Sequence, residues 1–518
     1  MHLSVARTQE LIGTSLVELN QFETSISILI ECLSIYQRLF GEESEFVSNI
    51  HFQLGKAQLG RGEIDESLEC FKVCLQIRKE LNEDSILVAD VLKEIAEAYF
   101  SQNKYNQSLA CFQKSLTIYE LHIDQKDSRL GKIFHRVGRI TGTLGNFDDS
   151  HKTLKKALSI FMGKDSKKDL TETALVMHSI GIVFDLQHHY DQAVTAYFDS
   201  RKIFIENDLE DKLSLALVDI SLGVSHARQQ NFEEAMRFCR EALETRQMYL
   251  DGGHLDIADA IYNIGIINDE WLKIDEALTN FTDALEIYRM NEESPEMASC
   301  LISMASIYRR KNENDEALPL YLEALRIFRS VSKENDEQVT NVLFEVGCIY
   351  LENAENKKAI NSLKECLKDR VGQFGEGHIS VAQTCEKLGS ALLAVHRHLD
   401  AAKVYKISLS TYEKEFGKNN IQCADVLAGL GAAYSQESKL DLALNSFQSS
   451  LQIYKNEVGE ESEEVAKVLL HIGAIHDKRM ENEESMECLN SALEIRCKIF
   501  GKDDEKVASS ISDSWRIK

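Results

Sequence analysis

The residues with the potential for catalysis or metal binding in this chain of 518 residues are its twelve cysteines and two histidine pairs, His188-His189 and His396-x-His398. Thiols can ligate zinc or attack a carbonyl, and paired imidazoles can hold a metal or shuttle a proton. Neither set has the spacing that this chemistry needs. A thiolate zinc site wants two Cys-x-x-Cys pairs, whereas Cys70 and Cys74 lie one helical turn apart with no second pair. Cys32, Cys74 and Cys366 recur at one register position of an apolar pattern, and Cys300 and Cys385 lie on other helices, as small packing residues do. Each histidine pair falls between two apolar runs, where a polar turn accounts for it. The chain has no phosphate-cradling glycine loop, no His-Glu-x-x-His and no Gly-x-Ser-x-Gly. The expectation is a protein that is not an enzyme, with no catalytic residue, no metal, no cofactor and no small-molecule substrate.

The other chemistry on offer is recognition. Lys56, Lys93, Lys132, His135, Arg136 and Arg139 form a basic group interrupted by Glu94 and Glu97, in a chain of formal net charge −26. An acidic peptide suits that group, and its binding should depend strongly on salt, because exposed charges are screened over about 8 Å at physiological ionic strength. The acidic remainder, spread along the whole length, excludes nucleic acid and an anionic membrane surface as partners, since both need a basic stripe. No run of about twenty apolar residues occurs, and the N-terminal MHLSVARTQE has no apolar signal core. The composition reads as a soluble cytoplasmic protein.

The elements that position these residues are helices. Between Ile257 and Tyr288, the residues Ala258, Ile261, Ile264, Gly265 and Asn268 fall three or four apart, one face of a helix A. Asp275 and Glu276 then open a helix B, at the end of the helix dipole that favours acids, with Ala277, Phe281, Ala284 and Ile287 on its buried face. Gly265 and Ala277 let the two helices approach closely, and Phe281 fills the space beside them. The Gly-or-Ala position recurs at Gly13, Gly55, Ala96, Gly138, Gly181, Gly223, Gly265, Ala305, Gly347, Gly389, Gly431 and Gly473, at intervals of 40 to 43 residues. Only 2 prolines interrupt the chain, and no strand-type alternation appears. The expected fold class is all-α, an α-solenoid formed as a superhelix of about twelve stacked antiparallel helix hairpins. Length alone would suggest about three domains. The repeat replaces that count with one solenoid over 1–518, whose units are 6–39, 48–81, 89–122, 131–164, 174–207, 216–249, 258–291, 298–331, 340–373, 382–415, 424–457 and 466–499.

Ile264-Gly265, Ala277, Phe281 and Ala284 make this pattern resemble the tetratricopeptide repeat. That repeat is commonly about 34 residues long, so each unit here carries roughly eight more. They follow helix B, as in ETRQMYLDGGHLDIAD and STYEKEFGKNNIQCAD, and should lengthen that helix and its exit loop. The period near 42 and the segment FGEGHISVA at Phe374–Ala382 look like the kinesin-light-chain variety, whose units are joined by Gly-x-x-His-Pro-x-Val-Ala. Here Ile379 and Leu255 replace the proline, and only His254 and His378 keep the histidine. The resemblance implies a concave groove lined by helices A, with ligand contacts from the second, fifth, sixth and ninth positions of each repeat, counting Ala258 as the first. A chaperone-type carboxylate clamp is not expected: Lys132 and Arg136 match its last pair, but Glu94 stands where an asparagine belongs, and Phe52 and Lys56 occupy the first pair. Kinesin-light-chain grooves take aromatic and acidic peptides through basic residues and asparagines. Asn263 survives of an Asn-Asn pair while Tyr262 replaces its partner, and Asp185, Asp259 and Asp269 lie near, so mid-groove the charge favours a basic or neutral peptide.

At the fifth and ninth positions of repeats five to nine stand His178 and Ile182, Ile220 and Val224, Tyr262 and Ile266, Ile302 and Ser306, then Phe344 and Cys348. These, with Asn263, are the candidate peptide-binding groove, Tyr262 and Phe344 being its anchors. Tight coiling could instead bury them against neighbouring helices. The expected function is a protein–protein interaction scaffold that takes a peptide or amphipathic helix of a partner. The resemblance adds two alternatives: a kinesin-light-chain-like cargo adaptor, or a regulatory or structural arm of a larger signalling or catalytic protein. Val5 and Ala6 already match Ile257 and Ala258, so helix A of the first repeat starts almost at Met1, with neither a capping helix nor the heptad coiled coil of kinesin light chains ahead of it. Trp515 takes the Gly slot of a thirteenth helix A, and 500–518 is expected to be a partial C-terminal capping helix. The links Gly163–Asp169 and Asn291–Glu296 depart from the period. The second contains Pro295, expected to end a helix there and stiffen the junction, whereas Pro319 should sit near the first turn of its helix B.

Overall fold

The computed structural model describes residues 3–163, 166–331 and 337–501, which form twenty-four α-helices and no strand. The first run comprises α1 (Leu3–Glu18), α2 (Phe22–Phe40), α3 (Glu45–Arg61), α4 (Ile64–Leu81), α5 (Ile86–Ser101), α6 (Tyr105–His122), α7 (Ser128–Thr143), α8 (Phe147–Phe161), α9 (Lys167–Leu186), α10 (Tyr190–Glu206), α11 (Lys212–Arg228), α12 (Phe232–Tyr249) and α13 (Leu255–Glu270). There follow α14 (Ile274–Arg289), α15 (Pro295–Arg310), α16 (Asn314–Val331), α17 (Glu337–Glu352), α18 (Asn356–Phe374), α19 (Ile379–Ala394), α20 (His398–Phe416), α21 (Ile421–Gln436), α22 (Leu440–Glu457), α23 (Glu463–Lys478) and α24 (Asn482–Phe500). Odd-numbered helices are the A members and even-numbered ones the B members. The chain divides into two compact units, Met1–Ala277 and Leu278–Lys518. Each is an α-solenoid in which an A helix packs on its own B helix, and that B helix on the next A helix.

Local chemistry explains each boundary. Most A helices begin at a capping side chain: Ser44, Ser85, Asp127, Ser166, Asp211, Ser294, Asn420 and Ser462 all accept a hydrogen bond from a backbone N–H of the first turn. His254 and His378, the two histidines of the repeat junction, do the same with the ring, Nδ1 accepting from Asp256 N at 3.1 Å and from Ser380 N at 3.2 Å. Pro295 is the first residue of α15, not the end of a helix, and its missing N–H is one that the first turn would leave unbonded. Pro319 lies inside α16 rather than in its first turn, so one internal hydrogen bond is absent there.

Every A helix ends in the same way. The turn residue is left-handed in all twelve pairs: Gly62, Gly145 and ten non-glycines, among them His188, Leu272, His396 and Met480, with φ from 56° to 64°. The next N–H reaches back to the A helix, as Gln21 N does to Leu16 O at 2.9 Å and His189 N to Phe184 O at 2.9 Å, a Schellman closure. His188 and His396 therefore serve as turn residues, and His398 opens α20. The B helices start directly from this turn with hardly a side-chain cap, and acids in the first turn, such as Asp148 and Asp149 or Glu483 and Glu484, meet the exposed N–H groups.

Packing between A and B rests on three register positions. At the Gly slot, a Cβ built on Gly55 would stand 2.6 Å from Phe71 Cε1, one on Gly389 2.7 Å from Tyr405 Cε1, and one on Gly138 2.6 Å from Leu154 Cγ. The approach is close enough for Ser25, Ser108, Ser150 and Ser485 of the B helices to donate to the carbonyls of Gly13, Ala96, Gly138 and Gly473 at 2.6–2.9 Å. At the slot of Ala284 the chain admits only Ala, Ser or Cys. Cys32 donates to Ala6 O at 3.2 Å, Ser115 to Ala89 O at 2.7 Å and Cys366 to Thr340 O at 3.4 Å. Burial pushes the thiols of Cys32 and Cys74 up to about 11, away from nucleophilic or metal-binding forms. No cluster of three or more metal-ligating side chains occurs among the described residues. The third slot, one turn further along the B helix, holds Tyr, Arg or Phe, and is paired to the A helix. Tyr36 donates to Glu10 at 2.7 Å, Arg78 to Asn49 at 2.9 Å, Tyr412 to Glu386 at 3.1 Å and Arg370 to Asn341 at 3.2 Å. Phe161 and Phe204 fill it where the A helix offers Lys132 or Leu175 instead of an acceptor.

The proposed cap at 500–518 falls almost wholly outside the described residues, as does part of the Gly163–Asp169 link. No described helix is long and apolar enough to cross a membrane.

Two measurements test this account. Gly55→Leu should overpack Phe71 and cost about 1–3 kcal/mol, and unfolding followed by denaturant should become multi-step, while Gly252→Ala, with nothing within 4 Å of the new Cβ, should leave the midpoint unchanged. Met480 is 87% exposed at φ 61°, so Met480→Gly should stabilise by roughly 0.5–1 kcal/mol, the relief of left-handed strain less the entropy of glycine; a lower midpoint would contradict the reading of the turn.

Candidate functional site

The positions of the A helices expected to line a groove can be followed within each unit. In the first unit α5, α7 and α9 enclose a cavity of about 320 Å³. Its walls bring together Lys93, Lys132, His135, Arg136 and Arg139, expected as the basic entrance, with His178 and Ile182, expected as groove residues. Lys56 is not among its lining residues. Three of the cations are matched by acids: Arg136 Nε with Glu97 at 2.9 Å, Lys132 with Glu172 at 2.6 Å, and Lys93 with Glu94 at 2.9 Å. Burial raises the Glu97 carboxyl, against the pull of Arg136. For Lys93 burial lowers the ammonium, but Glu94, Asp90 and Glu97 outweigh it and the net shift is upward. Arg139 has no carboxylate partner among the described residues; it lies 5.6 Å from the centre of the Phe100 ring, and burial draws its guanidinium below its usual value.

The two histidines of this cavity are not cations. Burial, together with Arg139 and Arg136, brings His135 down to about 3, and burial with Arg139 brings His178 down to about 4. His178 Nε2 lies 2.9 Å from Ser221 Oγ, whose own proton goes to Leu217 O at 3.1 Å, so the ring nitrogen is the donor. His135 Nε2 meets Ser179 Oγ at 2.7 Å.

Further along the same unit the apolar positions expected to line the groove are largely covered. Ile220 is 7% exposed and packs with Ala216, Ala242 and Ala260, and Val224 is half-buried against them. Tyr262 and Ile266 are half-buried on α13, and Asn263 Nδ2 donates to Asp259 O at 2.7 Å within the helix. Asp185, expected at the rim, accepts from Tyr197 at 2.8 Å and from Ser225 at 2.7 Å and is committed to the fold.

In the second unit Ile302, Ser306 and Phe344 line a more open hollow of about 700 Å³ between α15 and α17. The Arg370 guanidinium lies 4.6 Å from the Phe344 ring centre and is held by Asn341, Ser380 O and Thr384. Arg309 forms paired bonds to Glu352 at 2.6 and 3.0 Å, which with Asn314 hold that carboxyl below the usual range. Cys348 is buried. Sequence reasoning missed Glu172, Ser179 and Leu217 as members of the first cavity and Arg309 and Arg370 as members of the second. Arg370 had a signal: arginine recurs at its slot, at Arg78, Arg246 and Arg496, in alternation with aromatics, whereas Arg309 stands alone at its register position.

The buried histidines carry a pH prediction. Their folded values lie below the ordinary 6.5, so the unfolded chain takes up protons first. Stability from this site is complete above about pH 6.5 and falls as pH drops toward 4 and then 3, by on the order of 2 kcal/mol per histidine at pH 5. Urea midpoints at pH 7 and pH 5 should differ far less in a His135→Gln, His178→Gln variant than in the parent.

The tetratricopeptide repeat family matches residues 4–80, 61–121, 214–290, 296–370 and 380–456, more than half the chain. Protein KINESIN LIGHT CHAIN-RELATED 3 of Arabidopsis thaliana is 23% identical over 218 residues, 42% of this chain and 33% of that protein. Protein KINESIN LIGHT CHAIN-RELATED 2 of the same plant is 24% identical over 218 residues, 41% and 32% of the two chains. The matched part spans about a third of the length of these relatives. Among solved structures, BtubC (BKLC) from P. vanneervenii is 18% identical with a TM-score of 0.37, over 44% of this chain and 92% of that one. The apo form of RapI is 13% identical with a TM-score of 0.48, over 71% and 99%. With its Gly slot, its small-residue slot and a period near 42 residues, the chain belongs to the tetratricopeptide repeat family, in the kinesin-light-chain type of that repeat.

Proposed function

We propose that this protein is a non-enzymatic interaction scaffold of the cytoplasm, binding a peptide or amphipathic helix of partner proteins on the faces of its A helices. The observation that carries the reading is the first cavity, where cations of α5 and α7 meet the apolar side chains Leu175, Ile182 and Leu217 of α9 and α11. A protein segment with charged and apolar side chains matches such a mixed wall. The second hollow repeats the mixture with Phe344 between Arg370 and apolar Ile302. The half-buried Tyr262 and Ile266 supply further contact area. Family members named for kinesin light chains favour a second reading, an adaptor that links cargo to a kinesin or another cytoskeletal protein.

The test uses two variants of the full chain, one with Ile182, Tyr262 and Ile266 changed to serine and one with Ile302 and Phe344 changed to serine, each checked for unchanged helicity. Affinity capture from native cytoplasm should lose partners in at least one variant. Recovery of the same partners in the same amounts by both would place the binding surface elsewhere, and recovery of kinesin heavy chain by the parent would select the adaptor reading.

A further inference from the structure

We propose that the cavity enclosed by α5, α7 and α9 binds a phosphoryl group, presented as phosphoserine or phosphothreonine on a partner segment. This rests on the scaffold reading only for the source of the group. Four cations line the cavity, and the acids Glu94, Glu97 and Glu172 pair with three of them, leaving Arg139 as a half-buried guanidinium with an aromatic neighbour and no carboxylate within ion-pair distance among the described residues. A partly desolvated guanidinium with no acid bonded to it is favoured by a bound anion, and Glu97 acts on it only from beyond ion-pair distance. The partners of the other cations leave donors over. Glu97 approaches Arg136 at Nε, so the terminal nitrogens Nη1 and Nη2 remain, and Lys93 and Lys132 each have three N–H groups with one acid apiece.

The number of donors and the charge select the guest. A carboxylate has two oxygens and one charge; the fork of Arg139 alone would satisfy it and leave the remaining donors of Arg136, Lys93 and Lys132 unused. A phosphoryl ester carries about −1.5 to −2 charges and three acceptor oxygens, enough for Arg139, Arg136 and a lysine together. The histidines add no charge, being neutral, but offer a hydroxyl-linked polar wall through Ser179. Free phosphate would leave the apolar wall unused. Leu217, 43% exposed, and half-buried Ile182 lie on that wall and suit a leucine-like side chain beside the phosphorylated residue.

The probes are an acetylated Leu-Ala-Ser-Leu-Ala peptide phosphorylated on its serine, its unphosphorylated form, its form with glutamate in place of the serine, and inorganic phosphate. Each is titrated calorimetrically into the full chain at one ionic strength. The phosphorylated peptide should bind at least about tenfold more tightly than each other probe, the scale of one further charge-assisted hydrogen bond. Arg139→Gln should erase the preference, Arg139→Lys should retain part of it because the ammonium lacks the fork, and Glu97→Gln should strengthen it. Unfolding curves confirm that each variant is folded, and the last two keep the test informative if Arg139→Gln is not. Equal binding of the phosphorylated and glutamate peptides would make this a carboxylate site and overturn the proposal. Inorganic phosphate binding as tightly as the peptide would overturn its assignment to a partner segment. A preference that survives in folded Arg139→Gln would place the phosphate elsewhere. The peptides carry no partner sequence, so the result is independent of the capture experiment.

Discussion

The constraint on which each solenoid unit depends is the close approach of an A helix to its B helix at the Gly slot. Where Gly55, Gly138 or Gly389 stands, the ring or branched side chain of the B helix occupies the volume a Cβ would need. The same closeness brings serine hydroxyls of the B helix within 2.6–2.9 Å of A-helix carbonyls that already serve the helical ladder. One small residue therefore sets the spacing, the spacing admits a large side chain sixteen residues later, and that side chain fills the core. Because each pair presents its other faces to its neighbours, the arrangement propagates along the unit.

The spacing also decides what chemistry the side chains can do. Cysteines that resemble ligands in a composition count are spent as small packing residues, their protons given to carbonyls and their thiols pushed up by burial. Histidines divide by position: turn residues at His188 and His396, ring caps at His254 and His378, and neutral buried groups at His135 and His178. The same residue type does three jobs because backbone conformation and burial differ, and none of the three needs a charge.

Polar pairing across the A–B interface is the second organising feature. A slot that holds Tyr, Arg or Phe would be hard to satisfy if each occupant met the same neighbour. It is satisfied because the A helix changes with it: acids face Tyr36 and Tyr412, asparagines face Arg78 and Arg370, and no acceptor is presented to Phe161 or Phe204. A buried hydroxyl or guanidinium without its partner would cost on the order of 1–3 kcal/mol, so the pairing is a condition for the slot to vary at all.

The helices, their period and the small-residue slots were legible in the amino-acid sequence, because each follows from local register: period 3.6 within an element, about 42 between units, Gly or Ala wherever two helices meet. The basic cluster was legible as a list of residues, and so were Ile182, Tyr262, Ile302 and Phe344 as fifth or ninth positions of their A helices. Their standing was decided by tertiary structure. Lys132 meets Glu172 of the next repeat, Arg136 meets Glu97 of the previous one, and Arg139 meets no acid among the described residues, although all three cations are alike in sequence. Ile220 and Cys348 are buried while Ile182 and Phe344 reach hollows, although all four occupy the same two register positions of an A helix. Electrostatic pairing and exposure depend on groups some forty residues apart in the chain, on whose angle and depth of packing local periodicity is silent. The sequence specifies which face a side chain is on; which neighbour desolvates or neutralises it is a property of the packed repeats.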